Sequence, residues 1–325
     1  MAFTPPFTAN NPTGTGQLPL SVQNAYSLTA HFALRAAPLY EMIADVRSTA
    51  QTHSGAGVQF TFYDEMLQAT AALAESVDVT PVVLGDSKVE VALTEYGNAV
   101  LTTAKLRGTS FFNIDADAAS LVGYNMVNSM DKIVSDVAQG GSNFTNVGGL
   151  APNTAPGAGI VAANVYTSTE GRKAVAQLRT RNAPGWENGN YMAIIHPNVS
   201  YDFRGQAAVT DVINYQLYQD GPPIRAGSIG VFNGIEYIEN PRAGILATGV
   251  AGRTVNVYQT LIVGRQYLAK AFSRAPGFGE DPNVVFGPVT DVLRRFNPIG
   301  WYHLAGYGIF REECAQRVQS SSSLN

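Results

Sequence analysis

The clearest periodicity in the chain lies between Asp117 and Ala138. There Ala118, Val122, Met126, Met130, Ile133 and Val137 recur at a spacing near four, with Leu121 and Val134 widening the stripe, which is the pattern of a helix with one buried face. Asp115 and Asp117 suit its N-terminus, where a short acceptor side chain caps free amides and negative charge meets the positive end of the dipole. Gly140-Gly141 supplies the stop. At 1.5 Å per residue this helix is expected to run roughly 30 Å, enough to cross a domain. Upstream, Val58–Tyr63 and Lys88–Leu93 alternate with period two, separated by a stretch that carries Asp64, Glu65, Glu75, Asp78 and Asp86. This predicts a long two-stranded excursion, which needs the parent domain or another subunit to pack on, because an isolated hairpin is marginal.

Further along, the pattern becomes that of an α/β unit. Pro38 suits the start of a turn carrying Leu39, Tyr40, Ile43 and Val46, and residues 140–159 read as a Gly/Asn/Pro loop. Thr167 with Glu170 fits a capping box for a helix bearing Ala174, Val175 and Leu178, ended by Pro184-Gly185. Tyr191–Ile195 reads as a buried strand closed by His196-Pro197. Ser228–Phe232 and Ile235–Glu239 flank Asn233-Gly234, a pair that accepts the two positive φ angles of a type I′ hairpin turn. Apolar, β-branched segments at Val255–Val263 and Asn283–Phe286 add strands. Residues Ile299–Val318 mix aromatic strand character with a polar, Ser-rich end. The fold class is α+β.

Composition changes the picture in one respect. Charged residues make up 14% of the 325 residues, against roughly 25% in typical soluble domains. Aromatics stand at 10%, and protein interfaces are poor in Lys, Glu and Asp but rich in Tyr, Phe and Trp. The first charged residue is Arg35, and Val137–Thr169 contains none. Residues 1–20 are rich in Pro, Thr, Asn and Gly yet carry Phe3, Phe7, Leu18 and Leu20 with no charge, which suits an arm ordered by lying across a partner. The net charge of −4, with Lys and Arg scattered, argues against a dedicated nucleic-acid binder. No run of eighteen apolar residues exists, which removes a membrane-spanning helix. A single cysteine, Cys314, and an opening without signal-peptide character fit a protein made in the cytosol.

Candidate chemistry is sparse. His31, His53, His196 and His303 are far apart, and no pair has the i, i+4 spacing of a helical metal site. His196 with Asp202 offers a general base, but a histidine before proline at a strand end is expected to be a structural hydrogen-bonding residue. Gly157-Ala-Gly-Ile-Val-Ala162 matches the dinucleotide fingerprint in letters, while Ala151–Pro156 before it is no strand interior. No cofactor, metal or catalytic residue is expected.

The order of parts resembles the major capsid proteins of tailed bacteriophages, with the Hong Kong 97-type fold. The segments that carry the resemblance are Val89–Gly97, which includes Tyr96 and Gly97, leading into Thr102-Thr103; then Ile194–Pro197 with Tyr201–Gly205, which includes Asp202. Ile229–Tyr237, with Gly230 and Gly234, and Pro298–Tyr302, with Trp301, complete the series. The resemblance implies an N-arm over 1–52, an E-loop over 53–96, and a first part of a P-domain over 97–160 with a spine helix at 117–138. It implies an A-domain over 161–287 and a second part of the P-domain with the C-terminal tail over 288–325. Lys88 is the only lysine of the inferred E-loop, which makes it the candidate for the covalent cross-linking found in some members. Nothing marks its partner, and non-covalent overlap is expected.

The resemblance further implies self-assembly of pentamers and hexamers into an icosahedral shell around double-stranded DNA, without sequence-specific binding. Portal, scaffolding or decoration proteins are the implied partners, and the virion, assembled in the host cytoplasm, is the implied location. An encapsulin-like compartment shares the fold, and a β-rich glycan-binding or adhesion protein would share the neutral, aromatic composition.

Overall fold

The computed structural model describes residues 38–46, 55–110, 113–148, 155–186, 189–206, 228–249, 253–274, 279–287, 293 and 295–325, apart from the single positions 64, 71, 74, 77 and 80. A 3-10 turn at Tyr40–Ile43 leads into β1 (Ala44–Val46). Then follow β2 (Gly57–Tyr63), β3 (Asp86–Ala92), β4 (Thr94–Thr103), α1 (Ala104–Thr109) and α2 (Ile114–Ala138). Next come β5 (Phe144–Asn146), α3 (Ser168–Thr180), β6 (Tyr191–Ile195), α4 (Pro197–Arg204), β7 (Ser228–Phe232) and β8 (Ile235–Glu239). The last group is β9 (Ile245–Leu246), β10 (Val257–Val263), β11 (Leu268–Phe272), β12 (Asn283–Phe286), β13 (Phe296–Ile309) and β14 (Ala315–Ser320). One sheet has the order β1-β11-β13-β12 with β4 on the other edge of β13, a second has the order β5-β14-β10-β6-β8-β7 with β9 beside β10, and β2 and β3 pair alone.

The long helix starts three residues earlier than expected. Asn113, not an aspartate, caps it by accepting from the Ala116 amide, while Asp115 and Asp117 sit in the first turn, where their charge favours the dipole. With 25 residues it spans about 37 Å. Its first two thirds, through Ala118, Val122 and Met130, pack on Ile299, Trp301 and Ala305 of β13. Its last turns place Val134 and Ala138 in the main core with β6, β8 and β10. The helix therefore rigidly joins the two large sheets. Leu121, expected in the buried stripe, is exposed, and Asp131 and Ser135 are buried instead. The C-terminal carbonyls are met from outside the helix, with the Tyr267 hydroxyl donating to Ala138 at 2.6 Å and the Arg317 guanidinium donating to Gln139 and Gly141.

In the second sheet, β6 and β10 are buried at every position, as continuous apolar runs predict. The β7–β8 turn has Asn233 at φ 54° and Gly234 at φ 76°, as the Asn-Gly pair requires. Helix α3 begins at Ser168 without a side-chain cap, so the Thr167/Glu170 box does not form, and Glu170 pairs with Lys173. It ends before Pro184, because Asn182 turns to φ 56° and the Ala183 amide closes on the Leu178 carbonyl at 3.0 Å. The Ser-rich end is also a correction to the expected polar tail. Ser320, Ser321 and Ser322 are buried, and β14 lies inside the sheet between β5 and β10. Hydrogen bonds make this tolerable: Gln316 donates to Thr145 at 2.8 Å, Ser322 to the Asn198 carbonyl at 2.9 Å, and the Ser321 amide to Asn164 at 2.8 Å.

Candidate assembly surfaces

The two-stranded excursion has a fixed root and a bare outer half. Strands β2 and β3 pair antiparallel from Gly57↔Ala92 to Tyr63↔Asp86. Val58 and Val91 seal against Ala271, and Phe60 and Phe62 meet Phe310 edge-on with ring centroids 5.9 and 5.8 Å apart. Gly306 and Gly308 lie directly beneath Ala92 and Val91, where a side chain would collide. Beyond this root, every described residue from Glu65 to Asp86 is exposed. Leu67 is 89% and Val83 90% exposed, and Met66, Leu73, Val82 and Leu84 are exposed beside them. A run of large apolar side chains held out on a packed root marks an interaction site. Helix α1 is likewise exposed along its whole length and buries nothing.

The chain enters the body through a clasp. Both oxygens of Asp131, on α2, are used: one accepts from the Leu39 and Tyr40 amides at 2.8 and 2.7 Å, and the other from Arg242 at 3.1 Å. Arg242 also donates to the Tyr124 hydroxyl at 2.9 Å. Two residues on, Glu41 accepts from the buried Lys270 at 2.7 Å and from Tyr307 at 3.2 Å. Tyr40 and Ile43 are fully buried, and β1 runs parallel to β11. No sequence motif announces these pairs; a lone aspartate inside an apolar helical stripe is the one signal that points to them.

The residues singled out by sequence fall in several places. Phe3 and Phe7 lie outside the described residues. Lys88 is exposed on β3, opposite Thr61. Tyr96 and Gly97 stand in β4 opposite His303 and Tyr302, and Gly97 touches the backbone of Trp301 closely enough that a Cβ would lie 2.8 Å from its carbonyl oxygen. Trp301 is buried against α2 and donates to Asn125 at 2.9 Å. Gly230 occupies a bulge in β7 at φ 135°, and Gly234 forms the hairpin turn. His196 caps α4, its Nδ1 accepting from the Asn198 amide at 3.1 Å, and Pro197 takes the first helical position. Asp202 accepts from the Ser323 amide at 2.8 Å and from its hydroxyl. Thus Tyr96, Gly97 and Trp301 come together, while His196 and Asp202 serve separate structural contacts.

The remaining chemistry is similarly occupied. Burial pushes the Cys314 thiol up to about 11, away from nucleophilic use. Gly157 and Gly159 lie in a turn at φ 71°, and the Gly157 amide donates to Gln319 and Asn146. Among the described residues no three His, Cys, Asp or Glu side chains cluster as a metal site, and no helix is long and apolar enough to cross a membrane.

A long helix carrying an α/β sheet at one end and a strand sheet at the other, with an excursion rooted on the strand sheet and exposed in its outer half, defines a Hong Kong 97-type capsid subunit. Three solved structures share this arrangement. The capsid of cyanophage Pam1 aligns with a TM-score of 0.74 and 12% identity over 96% of this chain and 100% of its own. The capsid of Ralstonia phage GP4 gives 0.72 and 13% over 97% and 98%. The head of Helicobacter pylori bacteriophage KHP40 gives 0.70 and 11% over 97% and 98%. No curated protein matches in sequence. The family profile for phage capsid proteins matches residues 35–317, and the chain belongs to that family. It is a major capsid protein, a structural component of the virion that assembles into the shell, and neither the encapsulin-like compartment nor the glycan-binding protein is favoured.

Proposed function

We propose that copies of this chain, as pentamers and hexamers, close into an icosahedral shell around double-stranded DNA through non-covalent overlap, and that the chain catalyses no reaction. The observation that carries this reading is the outer half of the excursion: large apolar side chains 56–90% exposed on a root fixed by aromatic packing. Burying such a surface on a neighbour returns roughly 25 cal/mol per Å² of apolar area, repeated at every subunit around closed symmetry. In this reading residues 1–52 are the arm and 53–96 the overlapping loop. Residues 97–160 and 288–325 build the peripheral unit around α2, and 161–287 the axial unit, with β14 added to the axial unit's sheet. Assembly takes place in the host cytoplasm, with a portal protein at one vertex and scaffolding or decoration proteins as further partners. The test is electron microscopy of the purified full chain, which is expected to show closed shells or curved sheets. A monodisperse monomer or trimer at assembly concentrations would overturn the reading.

A further inference from the structure

Arg172, Lys173, Arg179 and Arg181 fall within ten consecutive residues, on α3 and just past its end. The inner face of α3, with Gly171, Ala174, Val175 and Leu178, is buried. Its solvent face presents Arg172, Lys173 and Arg179, flanked by the hydroxyls of Thr169 and Thr180, with Ala176 as the sole apolar residue exposed on it. Past the helix end, Arg181 donates to Gln316 at 3.1 Å, and the amide of the exposed Arg265 donates a hydrogen bond to the Pro184 carbonyl at 2.9 Å. Glu170, the one acid of the helix, is 12% exposed and turned to Lys173 at 2.7 Å. Arg172 is engaged by a neutral hydroxyl, that of Thr169 at 3.2 Å.

We propose that this face of α3 lies on the phosphate backbone of the enclosed duplex DNA, holding it without reading its sequence. The inference rests on the shell reading. Guanidinium groups match phosphate oxygens in a bidentate manner. Arg172 and Arg179 stand two turns apart, about 10.5 Å along the helix, a span of roughly three phosphates of one strand. The acidic excursion of a neighbouring subunit is the competing anionic partner, but it fits this face poorly. Its Leu67 and Val83 need apolar cover, and α3 offers only a methyl group. Few cations per subunit make each contact weak and quickly broken by salt, while many copies hold the DNA in common, so it packs and leaves without a tight bond to any one subunit.

The test is fluorescence anisotropy of a labelled 30-base-pair duplex with the purified full chain, across a salt series, for wild type and the Arg172→Gln/Arg179→Gln double variant. Lys105→Gln/Arg107→Gln serves as a control on an exposed basic site elsewhere, and circular dichroism confirms folding. Wild type and control are expected to bind at low salt with the same slope of log affinity against log salt, and the α3 variant to lose about two from that slope, because each phosphate contact contributes about 0.9. Equal slopes and affinities for wild type and the α3 variant would overturn the proposal, as would an absence of wild-type binding. A variant that binds DNA normally but no longer forms shells would assign α3 to a subunit interface instead. Shells that form normally without DNA binding would leave the capsid reading standing and remove only this one.

Discussion

Asp131 of α2 and Arg242 of the turn after β8 sit 3.1 Å apart with the aspartate 1% exposed, and the same carboxylate caps the 3-10 turn at Leu39 and Tyr40. Two separate stretches of chain are thereby tied to one side chain of the long helix. Asp131→Ala leaves a guanidinium and two amides without their acceptor. Removal of one member of a buried pair is strongly destabilising, so the variant is expected to lose about 3–5 kcal/mol in denaturant unfolding, with Asp131→Asn losing less. A loss below about 1 kcal/mol would show the clasp to be incidental.

The exposed excursion separates assembly from stability. Val83→Asp with Leu84→Asp changes two exposed residues, 90% and 56% accessible, so unfolding is expected to shift by less than about 0.5 kcal/mol. Light scattering is expected to show assembly abolished or slowed at least tenfold. Normal shells from this variant would remove the loop from the contact.

Gly97 permits β4 to approach β13. A Cβ there would meet the backbone oxygen of Trp301 at 2.8 Å, and a backbone atom has no rotamer by which to withdraw. Gly97→Val is therefore expected to cost about 1–3 kcal/mol by overpacking, read as a lower thermal midpoint. The neighbouring Asn98, already bearing a side chain and exposed, is expected to accept Ala with little change.

Two histidines are expected to contribute to the acid side of the stability profile. Burial lowers His196, and burial together with Lys270 lowers His303, from the ordinary 6.5. The unfolded chain takes up these protons first, so stability is full above about pH 6.5 and declines as pH falls through the window below it. Denaturant titrations between pH 7.5 and 5 are expected to show this decline, and His196→Asn, which keeps a capping acceptor but does not titrate, is expected to flatten it. An unchanged slope in His196→Asn would assign the effect elsewhere.

Much of the fold is legible from local pattern. The stripe from Ala118 to Val137 identifies α2 because a helix between two sheets must be apolar along one face, and Asn233-Gly234 identifies its hairpin because few other pairs accept two positive φ angles. Period-two alternation finds β2 and β3 by the same logic. What stays hidden is long-range and polar. Strand β14 reads as a tail because Gln316, Arg317, Gln319 and three serines carry no apolar signal; their burial depends on partners such as Thr145, Asn198 and the end of α2, far away in sequence. The Asp131 clasp is invisible for the same reason. The excursion is partly legible: its strands are in the pattern, but only the fold shows that its apolar residues stay exposed among the described residues.

The place of β14 also has a temporal meaning. It pairs parallel with β5, Arg317 opposite Phe144, and antiparallel with β10. The second sheet consequently lacks the strand that joins its edge strand β5 to β10 until residue 320 has been made, and the carbonyls at the end of α2 wait for Arg317 until then. The last strand in sequence is thus an inner strand in space, and the sheet is closed by long-range pairing rather than by its neighbours along the chain.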